Sequence, residues 1–424
     1  MTAFRFPAKM TAFRFPAKMT AFRFPAPVIV IVLVCLGSAE ELSDMATMTT
    51  DEFIRYYGYK AETHDVTTED GYILQLHRIV KEGGPPVIFQ HGLLGASDSW
   101  VLRGPKSDLS FMLADEGYDI WLPDCRGNMY SQRHVNLTTA DAAFWDFSWH
   151  EMGYYDMPAV VDHILNVTSY KNLVYLGHSM GTTMFYVFAS TRPEYNEKIA
   201  CLFSLAPIAF VSHMSLGGTT KPLANNARNI AQMFQKQGIM EILPRRNWLS
   251  KVMSSFCAQK NYQPFCLWYT FTITGPDPTQ VNPETFPLFA SHFPSGTSAK
   301  TLQHFAQSLL SGDFRMFSYG KTRNLEVYGT ELAPQYNLSL ITSPVSLHYS
   351  SNDFLSHPAD VNILASKLPN LIGKFKVPFK NFNHVDYLWA RDGRKLLYNQ
   401  IMGIMNKHRS EIVFRTNGEA TESF

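Results

Sequence analysis

Long apolar runs are missing from this chain. The run Val28–Leu36 falls short of the roughly 18–20 residues that a membrane-spanning helix needs, and no later segment is long enough either. No transmembrane segment is therefore expected. Cysteine is scarce, with five in 424 residues, and histidine and cysteine do not cluster at zinc spacings, so the sequence points to no metal and no cofactor. A basic excess is missing as well. The formal charge is +1, but residues 1–39 contribute five basic side chains (Arg5, Lys9, Arg14, Lys18 and Arg23) and no acid, leaving 32 basic against 36 acidic side chains. That balance excludes a nucleic-acid-binding footprint. The 25 glycines and 24 prolines are too few for a collagen-like or low-complexity chain. What is present in quantity is apolar surface. Hydrophobic residues make up 46% of the sequence, with 31 Phe, 20 Tyr and 7 Trp, enough for a large buried core and incompatible with global disorder.

The N-terminus reads as a leader. MTAFRFPAK occupies residues 1–9 and again 10–18, and MTAFRFPAP follows at 19–27, so Met1, Met10 and Met19 are each possible starts. From Met19 the chain shows a basic residue at Arg23, the apolar run Val28–Leu36 and small residues Gly37 and Ala39. This order matches a secretory signal peptide over 1–39, with the mature chain beginning near Glu40. Two features agree with an oxidising route. Sequons stand at Asn136, Asn166 and Asn337. Cys257 and Cys266 flank a short polar turn and read as a local disulfide. Cys201, within IACLFSLAP, reads as a buried thiol. The destination is extracellular, with the lysosome as the alternative.

Beyond the leader, short apolar runs alternate with helical patterns, which predicts an α/β fold with a mostly parallel sheet flanked by helices. Strands are expected at Tyr72–Ile79, Pro86–Gln90, Asp119–Pro123, Asn172–Leu176, Ala200–Ala206, Val345–Ser350 and Lys374–Phe379. Helices are expected near 107–116, 155–166, 180–191, 358–368 and 392–407. The rhythm breaks between Pro207 and Pro344, a stretch too long for a loop. The chain thus divides into a first core segment at 40–207, an insertion at 208–343 and a second core segment at 344–424. Trp248, Leu249, Val252, Met253 and Phe256 repeat at helical spacing inside the insertion, followed by FCLWYTFTI. The insertion reads as a helical cap and lid over an apolar site. Its Trp248, Met253, Phe256, Phe265, Trp268, Tyr269 and Phe271 would enclose long acyl chains.

The strongest local signal is Gly177-His178-Ser179-Met180-Gly181. It follows the strand NLVYL and opens the helical run TTMFYVFAS, the context that a nucleophile elbow requires. A serine hydroxyl needs a base, and the base needs an orienting acid. In this fold type the acid and then the base follow the serine in sequence. Asp353 lies at the end of the strand VSLHYS, on the edge of the sheet expected for Ser179. Asp360, two residues after Pro358, reads instead as a helix first-turn acid. His384 follows the strand KFKVPF, whereas His408 would be carried off by the last helix and His178 would point elsewhere. The oxyanion donors are expected to be the backbone N–H groups of Met180 and of Leu93 in the segment VIFQHGLLG.

Five blocks together resemble the acid lipase family of gastric and lysosomal lipases and their insect relatives. They are EFIRYYGYKAETHDVTTEDGYILQLHRI (52–79), HGLLG, GHSMG, SNDFLSHPADV (351–361) and FNHVDYLW (382–389). The resemblance implies an α/β-hydrolase fold with a cap. It also implies hydrolysis of triacylglycerols or cholesteryl esters through Ser179, Asp353 and His384, with oxyanion donors at Leu93 and Met180 and a cap disulfide between Cys257 and Cys266. The family often has Gln where this chain has Met180, a change that spares the backbone N–H. A further cap cysteine of the family appears here as Thr or a neighbour, a change that touches nothing catalytic. The expected function is a secretory-pathway serine lipase forming an acyl-enzyme on Ser179, with a lipid ester at a lipid–water interface as its partner. A cholesteryl ester hydrolase or carboxylesterase of the same fold is the near alternative. A non-catalytic lipid-binding homologue is the distant one, and the complete Ser/Asp/His set argues against it.

Overall fold

The computed structural model describes residues 44–215 and 220–413. The leader and the start near Glu40 lie outside them. Among the described residues eleven strands follow in chain order: β1 (Ala61–Thr67), β2 (Tyr72–Ile79), β3 (Pro86–Gln90), β4 (Asp119–Pro123), β5 (Arg133–His134), β6 (Leu173–His178), β7 (Ile199–Leu205), β8 (Glu241–Ile242), β9 (Thr297–Ser298), β10 (Val345–Tyr349) and β11 (Leu371–Lys376). Eight of them form the main sheet in the order β1-β2-β4-β3-β6-β7-β10-β11, with β5 beside β2. From β4 to β11 every neighbouring pair is parallel. The β1–β2, β2–β4 and β2–β5 pairs are antiparallel. All residues of β3, β4, β6 and β7 are buried, as strands covered on both faces must be.

The edges differ from what apolar runs predict. β1 is a polar strand, AETHDVT, with one residue buried, so no apolar run marks it. β11 begins three residues earlier than expected and none of its six residues is buried. An edge strand has a partner on one side only, and its sequence is correspondingly less apolar.

Helices α1 (Thr50–Tyr56), α2 (Leu109–Asp115), α3 (Met157–Thr168) and α4 (Met180–Thr191) belong to the first part of the chain. A single π-helical turn at Met152–Asp156 leads into α3. Helix α4 is buried from Met180 through Ser190, so its apolar residues on all sides pack into core. Between β7 and β10 the chain leaves the sheet and forms α5 (Thr220–Lys236), α6 (Asn247–Ala258), α7 (Gln263–Thr274), α8 (Phe286–His292), α9 (Ala299–Ser311) and α10 (Lys321–Tyr328). Cys257 on α6 and Cys266 on α7 are joined by a disulfide. Cys125 and Cys201 are buried free thiols. Helices α11 (Pro358–Ala365), α12 (Asp386–Trp389) and α13 (Asn399–His408) follow β10 among the described residues. Among the described residues no helix is long and apolar enough to cross a membrane.

The α6 and α7 aromatics sit differently from the enclosing arrangement expected of them. Trp248, Phe265, Trp268 and Tyr269 are 66%, 59%, 61% and 59% exposed, and of the expected apolar face on α6 only Phe256 is buried. The inward side of α6 is made of Ser250, Ser254, Phe256 and Cys257, and the Ser250 hydroxyl donates to the Ser291 carbonyl of α8 at 2.7 Å. Small residues let the helices approach closely and turn the large rings outward.

Candidate active site

Strand β6 ends at His178, and Ser179 bridges it to α4 with φ 54° and ψ −122°. This is a strained conformation for a residue with a Cβ, held by the packing around it. The flanking glycines make the turn possible. A Cβ on Gly181 would lie 2.5 Å from the Gln90 carbonyl oxygen and 2.8 Å from that of His91, and one on Gly177 would press on Gly181 at 3.0 Å. Helix α4 therefore starts directly against the end of β3.

Two later loops meet this turn from the same edge of the sheet. Asp353 follows β10, and His384 precedes α12. His384 Nε2 lies 2.8 Å from Ser179 Oγ, and its Nδ1 lies 2.9 Å from each oxygen of Asp353. A carboxylate only accepts, so Nδ1 carries the proton and Nε2 is free to accept from the serine hydroxyl. Asp353 is fixed in turn by the backbone N–H groups of Leu355 and Ser356, at 2.9 and 2.8 Å. All three side chains are buried, with Ser179 8% exposed. Asp360 is engaged elsewhere: it stands in the first turn of α11 and accepts from His213 Nδ1 at 2.8 Å. His408 ends α13 and pairs with Glu411.

The HGLLG loop packs on Ser179. A Cβ on Gly92 would come within 2.9 Å of the serine Cβ. His91 Nδ1–H donates to the Gly92 carbonyl at 2.9 Å, and Gly95 N–H donates to the same oxygen at 3.1 Å. His91 Nε2 accepts from the Cys125 N–H at 3.1 Å. Burial lowers the His91 pKa to about 4, which keeps the ring neutral and able to do both. In a trans peptide the carbonyl and the next N–H point in opposite directions, so pinning Gly92 C=O fixes the direction of the Leu93 N–H. Among the described residues no acceptor is engaged by the N–H of Leu93 or of Met180.

Sequence reasoning missed the groups behind this first layer. His178 Nε2–H donates to the His384 carbonyl at 2.9 Å, and burial pushes its pKa down to about 3. Asn383 donates to the Gly275 carbonyl at 2.9 Å. Their positions next to Ser179 and His384 in sequence were the available signal. The sequon residues Asn136, Asn166 and Asn337 are all exposed.

A family model described as alpha/beta hydrolase fold matches residues 85–390, and one described as partial alpha/beta-hydrolase lipase region matches residues 50–104. Lipase 1 of Drosophila melanogaster is 41% identical over 367 residues, covering 85% of this chain and 80% of its own. The chain belongs to the α/β-hydrolase lipase family. Gastric triacylglycerol lipases of Bos taurus and Homo sapiens are 38% and 35% identical, covering 85% and 88% of this chain and 91% and 94% of theirs. The acid lipase resemblance read from five sequence blocks is borne out by these relatives. A solved structure of a candidate lipase from Sulfolobus solfataricus superposes with TM-score 0.57 at 14% identity, covering 82% of this chain and 94% of its own. At that identity the likeness concerns the fold shared by α/β-hydrolase lipases.

Proposed function

We propose that this lipase hydrolyses triacylglycerols through an acyl-enzyme on Ser179. The observation that carries the reading is the chain of contacts from Asp353 through His384 to Ser179 Oγ, at 2.9 and 2.8 Å, on a strained turn at the sheet edge. His384 Nε2 takes the hydroxyl proton as Oγ attacks the ester carbonyl, and later gives it to the departing glycerol oxygen. Asp353 holds the tautomer and stabilises the imidazolium. The N–H groups of Leu93 and Met180 receive the oxyanion, the second at the N-terminus of α4, where the helix dipole adds to it. Water activated by His384 then releases the fatty acid.

The supporting relatives include gastric triacylglycerol lipases covered over nine-tenths of their length. On this reading residues 208–343 form a cap between core segments 40–207 and 344–424. The outward rings of Trp248, Phe265, Trp268 and Tyr269 are the surface that meets a lipid–water interface, where their exposure ceases to cost free energy. Residues 1–39 direct the chain into the secretory pathway towards the outside or the lysosome, with glycans at Asn136, Asn166 and Asn337.

The test has two arms. A fluorophosphonate probe should label Ser179 as mapped by peptide mass spectrometry. Turnover of a triacylglycerol should rise sharply when the substrate passes its solubility limit. A protein left unlabelled, or one preferring water-soluble acetate esters with no rise at the limit, would contradict the reading.

A further inference from the structure

Strand β4 ends at Pro123, and the loop after it, 124–131, holds the HGLLGAS loop (91–97) at both ends and in the middle. At the near end the Cys125 N–H donates to His91 Nε2 at 3.1 Å, and Asn128 Nδ2 lies 3.3 Å from the same nitrogen. In the middle the contact runs through one residue of the insertion. The Ser295 N–H donates to the Leu94 carbonyl at 2.8 Å, and the Ser295 carbonyl accepts from the Met129 N–H at 3.0 Å. At the far end Asp124 Oδ1 accepts from the Ser97 N–H at 2.8 Å and from Asn128 Nδ2 at 2.6 Å.

The loop held in this way is strained. Leu94 has φ 59°, a left-handed conformation that a residue with a Cβ keeps only when its surroundings impose it. Asp124 is 1% and Ser97 0% exposed, so a Ser97 N–H deprived of Asp124 Oδ1 would be buried without that acceptor. The second oxygen, Oδ2, faces His77 Nε2 at 3.5 Å. Among the described residues Asp124 makes no hydrogen bond to Ser179, Asp353 or His384.

We propose that Asp124 is a positioning residue for the hydrolysis, fixing the far end of the loop whose Leu93 N–H receives the oxyanion. The inference rests on the reading of Leu93 as an oxyanion donor. His91 sets the plane of the Gly92–Leu93 peptide, and Asp124 sets where the loop closes four residues after Leu93. With both ends fixed, the residues between them have little freedom and Leu94 stays left-handed. Without the Asp124 anchor the strain at Leu94 relaxes by a shift of the loop, and the Leu93 N–H turns from its place beside Ser179. An interaction made only with the oxyanion is then weakened, so kcat falls and KM stays.

The test compares 4-nitrophenyl butyrate with its thionoester, in which sulfur replaces the carbonyl oxygen. Sulfur is a weak acceptor, so the ratio of the two rates reads the oxyanion donors themselves, and it does not depend on how much of a sample is folded. Asp124→Ala should lower kcat on the ester by about 10-fold to 100-fold and the ester-to-thionoester ratio by about tenfold, with KM little changed. Asp124→Asn, whose amide oxygen can accept from the Ser97 N–H, should restore most of both. Ser97→Pro removes the same hydrogen bond from the donor side. Ser97 opens a 3₁₀ turn after Ala96 at φ −147° and ψ 174°, a place that suits proline, so this variant carries the test if Asp124→Ala does not fold. Gly92→Ala, which displaces the Leu93 N–H directly, is the reference. A wild-type ratio in Gly92→Ala removes the reading of Leu93 as the donor. A lowered ratio there, with wild-type ratios in Asp124→Ala and Ser97→Pro, removes the anchor alone. A ratio in Asp124→Asn as low as in Asp124→Ala also overturns it, because the hydrogen bond would then not be what holds the loop.

Discussion

On the proposed mechanism, Ser179 combines strain and reactivity in one residue. Its side chain touches His384 and the Gly92 loop and fills no cavity of its own, so Ser179→Ala should abolish turnover by on the order of a millionfold while the thermal midpoint stays close to wild type. Asp353→Asn should cost less, about 10⁴-fold in kcat, because the oxyanion donors remain and only the His384 tautomer is wrong. Steady-state kinetics beside a melting curve check both. Gly92 offers a sharper test. An added methyl meets the Ser179 Cβ at 2.9 Å, and neither the serine turn nor the doubly pinned Gly92 carbonyl has slack to give. Gly92→Ala should therefore displace the Leu93 N–H and lower kcat by about 10²–10³-fold, the usual cost of one lost oxyanion donor. A variant with wild-type kcat would show that Leu93 is not that donor.

Residues 208–343 are joined to the earlier part of the chain by buried contacts, and one pair shows how. Arg245, just before α6, forms a buried ion pair with Asp98 in the segment after β3, and Asp98 also accepts from the Tyr130 hydroxyl at 3.3 Å. Removing one partner strands the other charge in the interior. Arg245→Ala should lower stability by about 3–5 kcal/mol in denaturant titration, far more than loss of the surface pair Arg133–Asp65. Nothing in the sequence joins Arg245 to Asp98, which lie 147 positions apart. The central strands were legible because burial on both faces writes continuous apolar runs, and the Ser179 turn because two glycines bracket it. The polar edge strand β1 left no such trace. Helix α7 misled for the opposite reason: QPFCLWYTFTIT is apolar all round, which ordinarily means burial, yet Phe265, Trp268 and Tyr269 face out. The contacts of residues 274–276 with the Asp353 and His384 loops were invisible too, since they are made through the backbone carbonyls of Thr274, Gly275 and Pro276.

At the scale of the whole molecule, buried titratable groups set a pH window for stability. Burial holds His77, His91 and His292 down at about 4, and His178, His304 and His348 at about 3. Their contribution is complete above the unfolded value of 6.5 and is lost as pH falls through those folded values. Burial acts in the other direction on Asp156, Asp124 and Asp386, raising them to about 6, 7 and 9. Their contribution is present below 3.8 and is lost as pH rises through the folded values. Below pH 6.5 the histidines outnumber the carboxyls, and above it only the carboxyls still titrate. The thermal midpoint should thus peak between about pH 6 and 7 and fall on both sides. A midpoint that rises steadily to pH 9 in calorimetry would refute the balance. The four cysteines of the described residues carry a last consequence, for assembly of the chain under oxidising conditions. Disulfide exchange runs through thiolates, and burial raises the Cys125 and Cys201 thiols far above their ordinary range. Once the sheet has closed around them they are withdrawn from exchange. Among the described residues only the near neighbours Cys257 and Cys266 then remain to be oxidised, so a core that closes ahead of oxidation removes the wrong pairings from competition.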